Sequence, residues 1–312
     1  MISNQSTHQS VLLEEAMLGL LQNSEGVYVD GTFGRGGHSH RILQGLSSQG
    51  RLLAIDKDPD AINSENAKEL MADSRFELAH ASFSELHKLL EERGSLGKVA
   101  GILLDLGVSS PQLDVAGRGF SFMKDGPLDM RMDPTQGESA AQWLERVAES
   151  DLVNVLRVYG EEKFARKIAA AIVSQREEKK IETTRQLASI IEEVVKKREP
   201  GKHPATRSFQ AIRIKINKEL DDLEEVLEQS IDALEKGGRL VVISFHSLED
   251  RVVKRFMRNE SRAAVVARHL PLPLDYKQLT LKCIGKAIKA SPEEVKFNAR
   301  SRSAVLRIAE RL

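Results

Sequence analysis

The feature that most restricts the fold is the alternation of strand and helix patterns over about the first hundred residues. Apolar residues at helical spacing occupy 11–21, with Ser10 placed to cap and Glu14 and Glu15 in the first turns. Short strands are predicted over 27–30, 51–56, 76–80 and 100–105, separated by helices over 38–46, 59–71 and 83–93. Pro59 suits the first turn of its helix, where a missing N–H costs nothing. The fourth strand, Gly101-Ile102-Leu103-Leu104, is nearly all apolar, as a parallel strand covered on both faces must be. This rhythm predicts an α/β fold: a mostly parallel sheet, helices on both faces, right-handed crossovers and a ligand site beyond the carboxyl ends of the strands. Three of the strands end in an acid, Asp30, Asp56 and Asp105.

The rhythm then stops. A stretch rich in Gly, Ser and Pro runs over 107–137 and reads as a loop. Helical patterns follow with no strand between them, over 140–148, 151–159, 161–176 and 184–197. Another helix, over 220–234, could belong to either part. Strand character returns over 238–245 and 303–309, with a helix over 248–257 between them. The expected organisation is a discontinuous Rossmann-like domain, 1–113 with 214–312, and an inserted helical substrate-recognition domain, 114–213.

Composition narrows the classes. One cysteine, Cys283, excludes a disulfide framework and a cysteine-rich zinc site, so no metal is expected. The opening residues show neither the basic nor the apolar region of a signal peptide, and no apolar run approaches the roughly 18 residues that cross a bilayer. A cytoplasmic protein without a membrane partner is the expectation. Net charge is zero, but it is unevenly spread: residues 1–110 hold 9 basic and 15 acidic side chains, whereas 240–312 hold 15 basic and 7 acidic. A second basic stretch contains Lys196, Lys197, Arg198, Lys202, Arg207, Arg213, Lys215 and Lys218 against Glu199. Such clustering is what contact with phosphates requires, although a solvated face gives the same pattern. Arg207, Lys215, Arg251, Lys254 and Arg255 are candidates for that contact.

The chemistry centres on Asp30-Gly31-Thr32-Phe33-Gly34-Arg35-Gly36-Gly37-His38, between a strand and a helix. Glycines there allow positive φ and close approach of a ligand, and the following helix offers free N–H groups. Asp56, about twenty residues on at a strand end, is placed to accept hydrogen bonds from ribose hydroxyls. A dinucleotide or S-adenosylmethionine would fit this much. The third glycine of G-x-G-x-x-G is absent, and Asp30 would repel a pyrophosphate. S-adenosylmethionine has no phosphate and carries a sulfonium and an ammonium, so acids suit it. Phe83 follows the third strand, within reach of an adenine, and Asp105 borders the same cleft.

Several runs together resemble one family: Ser10-Val11-Leu12-Leu13 preceded by His8-Gln9, the glycine loop, residues 104–114 (Leu104-Asp105-Leu106-Gly107-Val108-Ser109-Ser110-Pro111-Gln112-Leu113-Asp114), Arg118-Gly119-Phe120-Ser121-Phe122, residues 126–132, His203-Pro204-Ala205-Thr206-Arg207, and residues 244–251. The chain resembles, over essentially its whole length, the bacterial small-subunit ribosomal RNA cytosine-N4-methyltransferases. That resemblance implies a class I methyltransferase domain with a helical insert. It implies transfer of a methyl group from S-adenosylmethionine to the exocyclic N4 of one cytidine in the decoding region of 16S rRNA, with the small ribosomal subunit as the substrate particle. It places Gly36, Gly37, His38, Asp56, Phe83, Asp105 and Gln112 at the cofactor. Family members can associate as dimers, so a homodimer is also an expectation.

One departure stands out. Many amino-methyltransferases carry Asp/Asn-Pro-Pro-aromatic after the fourth strand, and this chain has Asp105-Leu106-Gly107-Val108. The catalytic acceptor is therefore not assigned by motif. Phe120 and Phe122, two aromatics in a Gly-rich segment, are candidates to clamp a flipped base; a packed pair in the insert is the plainer alternative. His246, after the strand over 238–245, is a candidate to receive a proton or hydrogen bond, against the commoner structural histidine. Two other function classes share parts of this pattern: a nicotinamide-dependent oxidoreductase, which the missing glycine disfavours, and a non-catalytic RNA-binding factor, which leaves the cofactor loop without a purpose.

Overall fold

The computed structural model describes residues 10–196, 203–262 and 278–312. His8, Gln9, Lys197, Arg198, Glu199 and Lys202 lie outside the described residues. The chain divides into two compact units, one made of residues up to Gly107 with Leu220–Leu312, the other of Val108–Glu219. The insert expected over 114–213 lies inside the second.

The first unit is built on an eight-stranded sheet: β1 (Val27–Asp30), β2 (Arg51–Asp56), β3 (Phe76–His80), β4 (Val99–Asp105), β5 (Leu234–Ser244), β6 (Leu281–Cys283), β7 (Ile288–Lys289) and β8 (Val305–Arg311). Their order is β3-β2-β1-β4-β5-β8-β6, with β7 also paired to β8. The first five are parallel, and β8 runs antiparallel to β5, β6 and β7. Leu103 and Val241 face one cluster, with Leu12, Leu20 and Ile42. Leu104 and Val242 face the other, with Leu86, Leu90 and Leu227. Two buried faces explain why β4 reads as an unbroken apolar run, each fully buried leucine contributing roughly 1.5–3 kcal/mol. The helix Glu219–Ala233 buries Leu223, Val226 and Leu227 in the second cluster, which settles its allegiance to the sheet.

Local chemistry corrects several boundaries. The helix expected over 59–71 is two, Pro59–Ile62 and Glu65–Leu70, because Ser64 turns its hydroxyl to accept the Ala67 N–H at 3.2 Å and caps a new start. The expected helix over 83–93 opens as a 3-10 turn, Phe83–Glu85, before Leu86–Glu92. No helix among the described residues is long and apolar enough to cross a membrane.

The second unit is helical. Ala140–Arg146, Glu149–Val158, Ala165–Glu178, Thr184–Val194 and Thr206–Asn217 surround Trp143, Leu156, Ile168, Ile172, Leu187 and Ile212. Reciprocal capping boxes start two of them, Ser139 with Gln142 and Thr183 with Gln186. The stretch expected to be loop over 107–137 contains the helix Ser110–Asp114, and the charge-rich stretch 196–218 contains the helix Thr206–Asn217. In the latter, Phe209, Ile212 and Ile214 are buried between the basic residues. Asn217 closes the helix end onto the start of the unit: its amide donates to the Met130 carbonyl (2.7 Å) and its Oδ1 accepts from Met132 N–H (2.7 Å).

Candidate active site

The glycine loop is sewn to the sheet on both sides. Gly31 N–H donates to the Leu103 carbonyl of β4 (2.9 Å), and Phe33 N–H to the Ile55 carbonyl of β2 (3.0 Å). The loop therefore lies across the carboxyl ends of β1, β2 and β4, where a parallel sheet exposes its ligand site. Gly34 and Gly36 take φ of 54° and 77°, a region that costs other residues strain. Gly37 is glycine for a different reason: a Cβ there would stand 2.1 Å from Ser10 Oγ. The segment before the first helix is thus packed directly against the loop, and Ser10 shapes the site instead of capping the helix Leu13–Leu20, whose N-cap is Leu12.

Three carboxyls converge here. Asp30, fully buried, accepts from the Ser39 hydroxyl (2.6 Å) and the Thr32 N–H (3.1 Å). Asp56 accepts from Gly34 N–H (2.6 Å) with one oxygen and from Asp58 N–H (2.8 Å) with the other, so it fixes the loop while each oxygen keeps a second lone pair. Asp105 sets one oxygen 3.4 Å from His38 Nδ1; its other oxygen, Oδ1, is buried with no hydrogen-bond partner. The Asp105 N–H donates to Thr32 Oγ1 at 2.7 Å, which ties the end of β4 to the loop.

The burial of these acids has an electrostatic consequence. Desolvation pushes Asp56 up to about 6, against the backbone bonds from Asp58 and Gly34, with Asp58 and Asp30 repelling in the same direction as burial. It pushes Asp105 up to about 6 as well, with His38 opposing and Asp30 and Glu249 reinforcing. Asp30 is raised for the same first cause, opposed by His38, Ser39 and Thr32. Positive charge is therefore in deficit at the loop, and a cation arriving beside these carboxyls is favoured.

His38 is buried, and its Nε2 lies 3.2 Å from the Val11 carbonyl oxygen. That oxygen can only accept, so Nε2 carries a proton. The Nδ1–Asp105 contact then shares at most one further proton. Phe83 borders the same loop: a Cβ on Gly31 would meet Leu104 Cδ2 at 2.6 Å and Phe83 Cβ at 3.4 Å. The structure thus brings together Gly36, Gly37, His38, Asp56, Phe83 and Asp105, and adds Ser10, Thr32 and Ser39 as residues that hold them. Ser39 lay in the sequence as a small polar residue one position past His38, but nothing there marked Asp30 as its partner.

The remaining expected residues belong to other elements. Gln112 belongs to the second unit, where its Oε1 accepts from Ser109 N–H (2.8 Å) in the capping box of Ser110–Asp114. Phe122 stacks on His203 (centroids 4.3 Å) and meets the edge of Phe209 (5.0 Å), inside the insert. Phe120 is buried, with the Arg118 guanidinium 5.8 Å from its ring centre. His246 caps the helix Ser247–Ser261: Nδ1 accepts from Glu249 N–H (3.4 Å), and Nε2 lies 3.1 Å from Glu249 Oε1. Glu249, which no motif singled out, accepts from the Phe245 and His246 N–H groups (2.8 and 3.2 Å) and so fixes the turn after β5. On that helix Arg251, Lys254 and Arg255 are exposed at helical spacing, as is Lys215 in the second unit. The Arg207 guanidinium donates to the Glu161 carbonyl (3.2 Å).

The profile of the MraW methylase family matches residues 5–312. A protein of Shewanella oneidensis named ribosomal RNA small subunit methyltransferase H is 54% identical over 313 residues, covering 100% of this chain and 99% of that protein. A namesake from Shewanella baltica is equally similar, 54% over the same span. Among solved structures, a SAM-dependent O-methyltransferase of Thermotoga maritima superposes with a TM-score of 0.41 at 10% identity, covering 99% of this chain and 69% of that one; likeness at that level adds nothing to the topology described above.

Proposed function

This chain belongs to the MraW methylase family, and we propose that it methylates the exocyclic N4 of a decoding-region cytidine in 16S rRNA, taking the methyl group from S-adenosylmethionine. The observation that carries the cofactor is the cluster of three carboxyls, Asp30 buried and Asp56 and Asp105 partly buried, at a phosphate-repelling glycine loop, with Asp105 Oδ1 buried and unpartnered. A nicotinamide dinucleotide would bring two phosphates to the same acids. S-adenosylmethionine, when bound, supplies an electrophilic methyl on sulfur. The residues present fit it: Gly36 lets the loop turn at positive φ and Gly37 lets Ser10 pack against it, and Asp105 would hold its ammonium, Asp56 its ribose and Phe83 its adenine.

What remains for the protein is positioning. The lone pair of a cytosine amino group is conjugated into its ring, so N4 attacks only when held in line and bent toward tetrahedral geometry. We assign that task to the chain around the cofactor edge, with Phe120 and Phe122 fixing the shape of the segment that meets the base. His246 keeps its proposed place beside the target, held there by Glu249. The second unit, Val108–Glu219, is the substrate-recognition part, and Gln112 secures its first helix. The exposed cations Lys215, Arg251, Lys254 and Arg255, with Arg207, meet rRNA phosphates. The substrate particle is the small ribosomal subunit in the cytoplasm, and the active form is a homodimer.

The test is direct. The protein is incubated with labelled S-adenosylmethionine and small subunits lacking their native modification, and the modified nucleoside is identified by mass spectrometry. N4-methylcytidine in the decoding region is expected. Measurable cofactor binding with no transfer to subunits would retain the cofactor and discard the substrate.

A further inference from the structure

The most exposed large apolar side chain among the described residues is Phe297, at 89%. A single exposed apolar side chain is ordinary in itself, so the charges and elements around it decide whether it has a role. It sits in the connection between β7 and β8, on the short helix Pro292–Phe297, followed by the 3-10 turn Ala299–Ser303. Residues 281–303 hold Lys282, Lys286, Lys289, Lys296, Arg300 and Arg302 against Glu293 and Glu294. Of these, Lys282, Lys286, Lys289, Lys296 and Arg302 are exposed together with a single acid, Glu293, while Glu294 is partly buried and accepts the Leu12 N–H (2.9 Å).

The register shows where this connection lies. Lys289 pairs with Val305, and Val305 pairs with Ser244 at the carboxyl end of β5. Both roots of the connection are therefore at the edge of the sheet that carries the glycine loop. The Glu294 bond reinforces the placement, because the next residue back from Leu12, Val11, holds His38, and Ser10 abuts Gly37.

We propose that the β7–β8 connection is an RNA-gripping arm beside the cofactor edge, in which Phe297 stacks on an unpaired base and Lys289, Lys296 and Arg302 neutralise flanking phosphates. An exposed ring among cations is the arrangement that binds single-stranded nucleic acid: every base has a face to stack, and each neutralised phosphate releases counterions. The arm deepens the rRNA reading above and rests on it. It adds a contact distinct from the stripe Arg251, Lys254, Arg255.

The experiment uses the full chain and a short, unstructured, cytidine-rich RNA oligonucleotide, with affinity read by fluorescence anisotropy at several salt concentrations. Phe297→Ala is expected to weaken binding about five- to 150-fold, and Phe297→Trp to hold it within about twofold. Exchanging Lys289, Lys296 and Arg302 together for Gln should lower the slope of log affinity against log salt by about 2, from roughly 0.7 per phosphate on a single strand. Melting temperature and cofactor affinity should not move in any variant. Unchanged affinity in Phe297→Ala overturns the proposal, as does a change of oligomeric state in that variant with RNA binding intact, which would make the ring a contact between copies. If the parent methylates subunits but does not bind the oligonucleotide, the arm falls and the rRNA reading stands. If the parent neither binds the oligonucleotide nor methylates subunits, both fall.

Discussion

Replacing Asp105 with Asn tests the electrostatic account of the site most sharply. The exchange keeps the shape of the side chain. It also keeps the Asp105 backbone bond to Thr32 Oγ1, and an amide N–H can donate to His38 Nδ1 where the carboxyl now sits. The variant should therefore fold. What it removes is one negative charge whose buried oxygen lacks a partner. With the carboxyl pushed up to about 6, nearly all of it is ionised near pH 7.5 and about one-tenth near pH 5. If Asp105 receives the cofactor ammonium, affinity is flat above about pH 7 and falls about tenfold per pH unit below 6 for this group. Asp56, also near 6, adds its own limb. The parent should thus lose affinity for S-adenosylmethionine more steeply than Asp105→Asn, by one proton per binding event. At neutral pH the variant loses a charge-assisted hydrogen bond of about 1.5–3 kcal/mol, or about 10- to 150-fold in affinity. Titration calorimetry in two buffers of different ionisation heat reads both affinity and proton release. Equal pH slopes in parent and variant would refute the assignment, and so would an unaltered dissociation constant at neutral pH.

Other outcomes follow from the same geometry. Because Asp56 and Asp105 have raised folded-state pKa values, their stabilising effect is greatest below the ordinary carboxylate range and is lost as pH rises through about 6; the cofactor-free protein should be more stable near pH 5 than near pH 7, by about 1 kcal/mol for each group, in denaturant melts. Gly37→Ala should abolish cofactor binding, and adding Ser10→Ala should restore much of it, since removal of Oγ leaves the new Cβ only 3.4 Å from Ser10 Cβ; calorimetry on the double variant showing no recovery would mean that the clash is not the cause. Phe122→Ala should destabilise the protein by about 2 kcal/mol through its lost contacts with His203 and Phe209, and lower turnover with cofactor affinity intact; lost cofactor binding would contradict its placement. Neutralising Arg251, Lys254 and Arg255 should lower rRNA affinity and its salt slope, measured by filter binding at several ionic strengths.

Much of the first unit was legible because its signals are local. β1, β2 and β3 match their expected limits, and β4 misses by one residue, since buried parallel strands leave short apolar runs closed by Asp30, Asp56, His80 and Asp105. The glycine loop and its distance to Asp56 were equally plain. The helix Thr206–Asn217 was hidden because seven of its 12 positions are cationic or polar, and its buried stripe of Phe209, Ile212 and Ile214 is narrow. Strands β6 and β7, three and two residues long, have too few side chains to show an alternation. The site's supporting bonds were illegible for a different reason. Ser10 against Gly37, Val11 against His38 and Glu294 against Leu12 join residues far apart in the chain. No periodicity reports a contact of that kind.

The position of β8 also bears on how the molecule is made. It is an inner strand of the sheet, held by β5 on one side and by β6 and β7 on the other, yet it follows every other strand in the chain. During synthesis the helical unit, complete at Glu219, emerges long before β8 does. Until then β5 presents an unpaired edge rich in Val and Ile, which invites pairing with other nascent chains. The enzyme therefore passes through a vulnerable period in which its cofactor loop is already built and its sheet is still open.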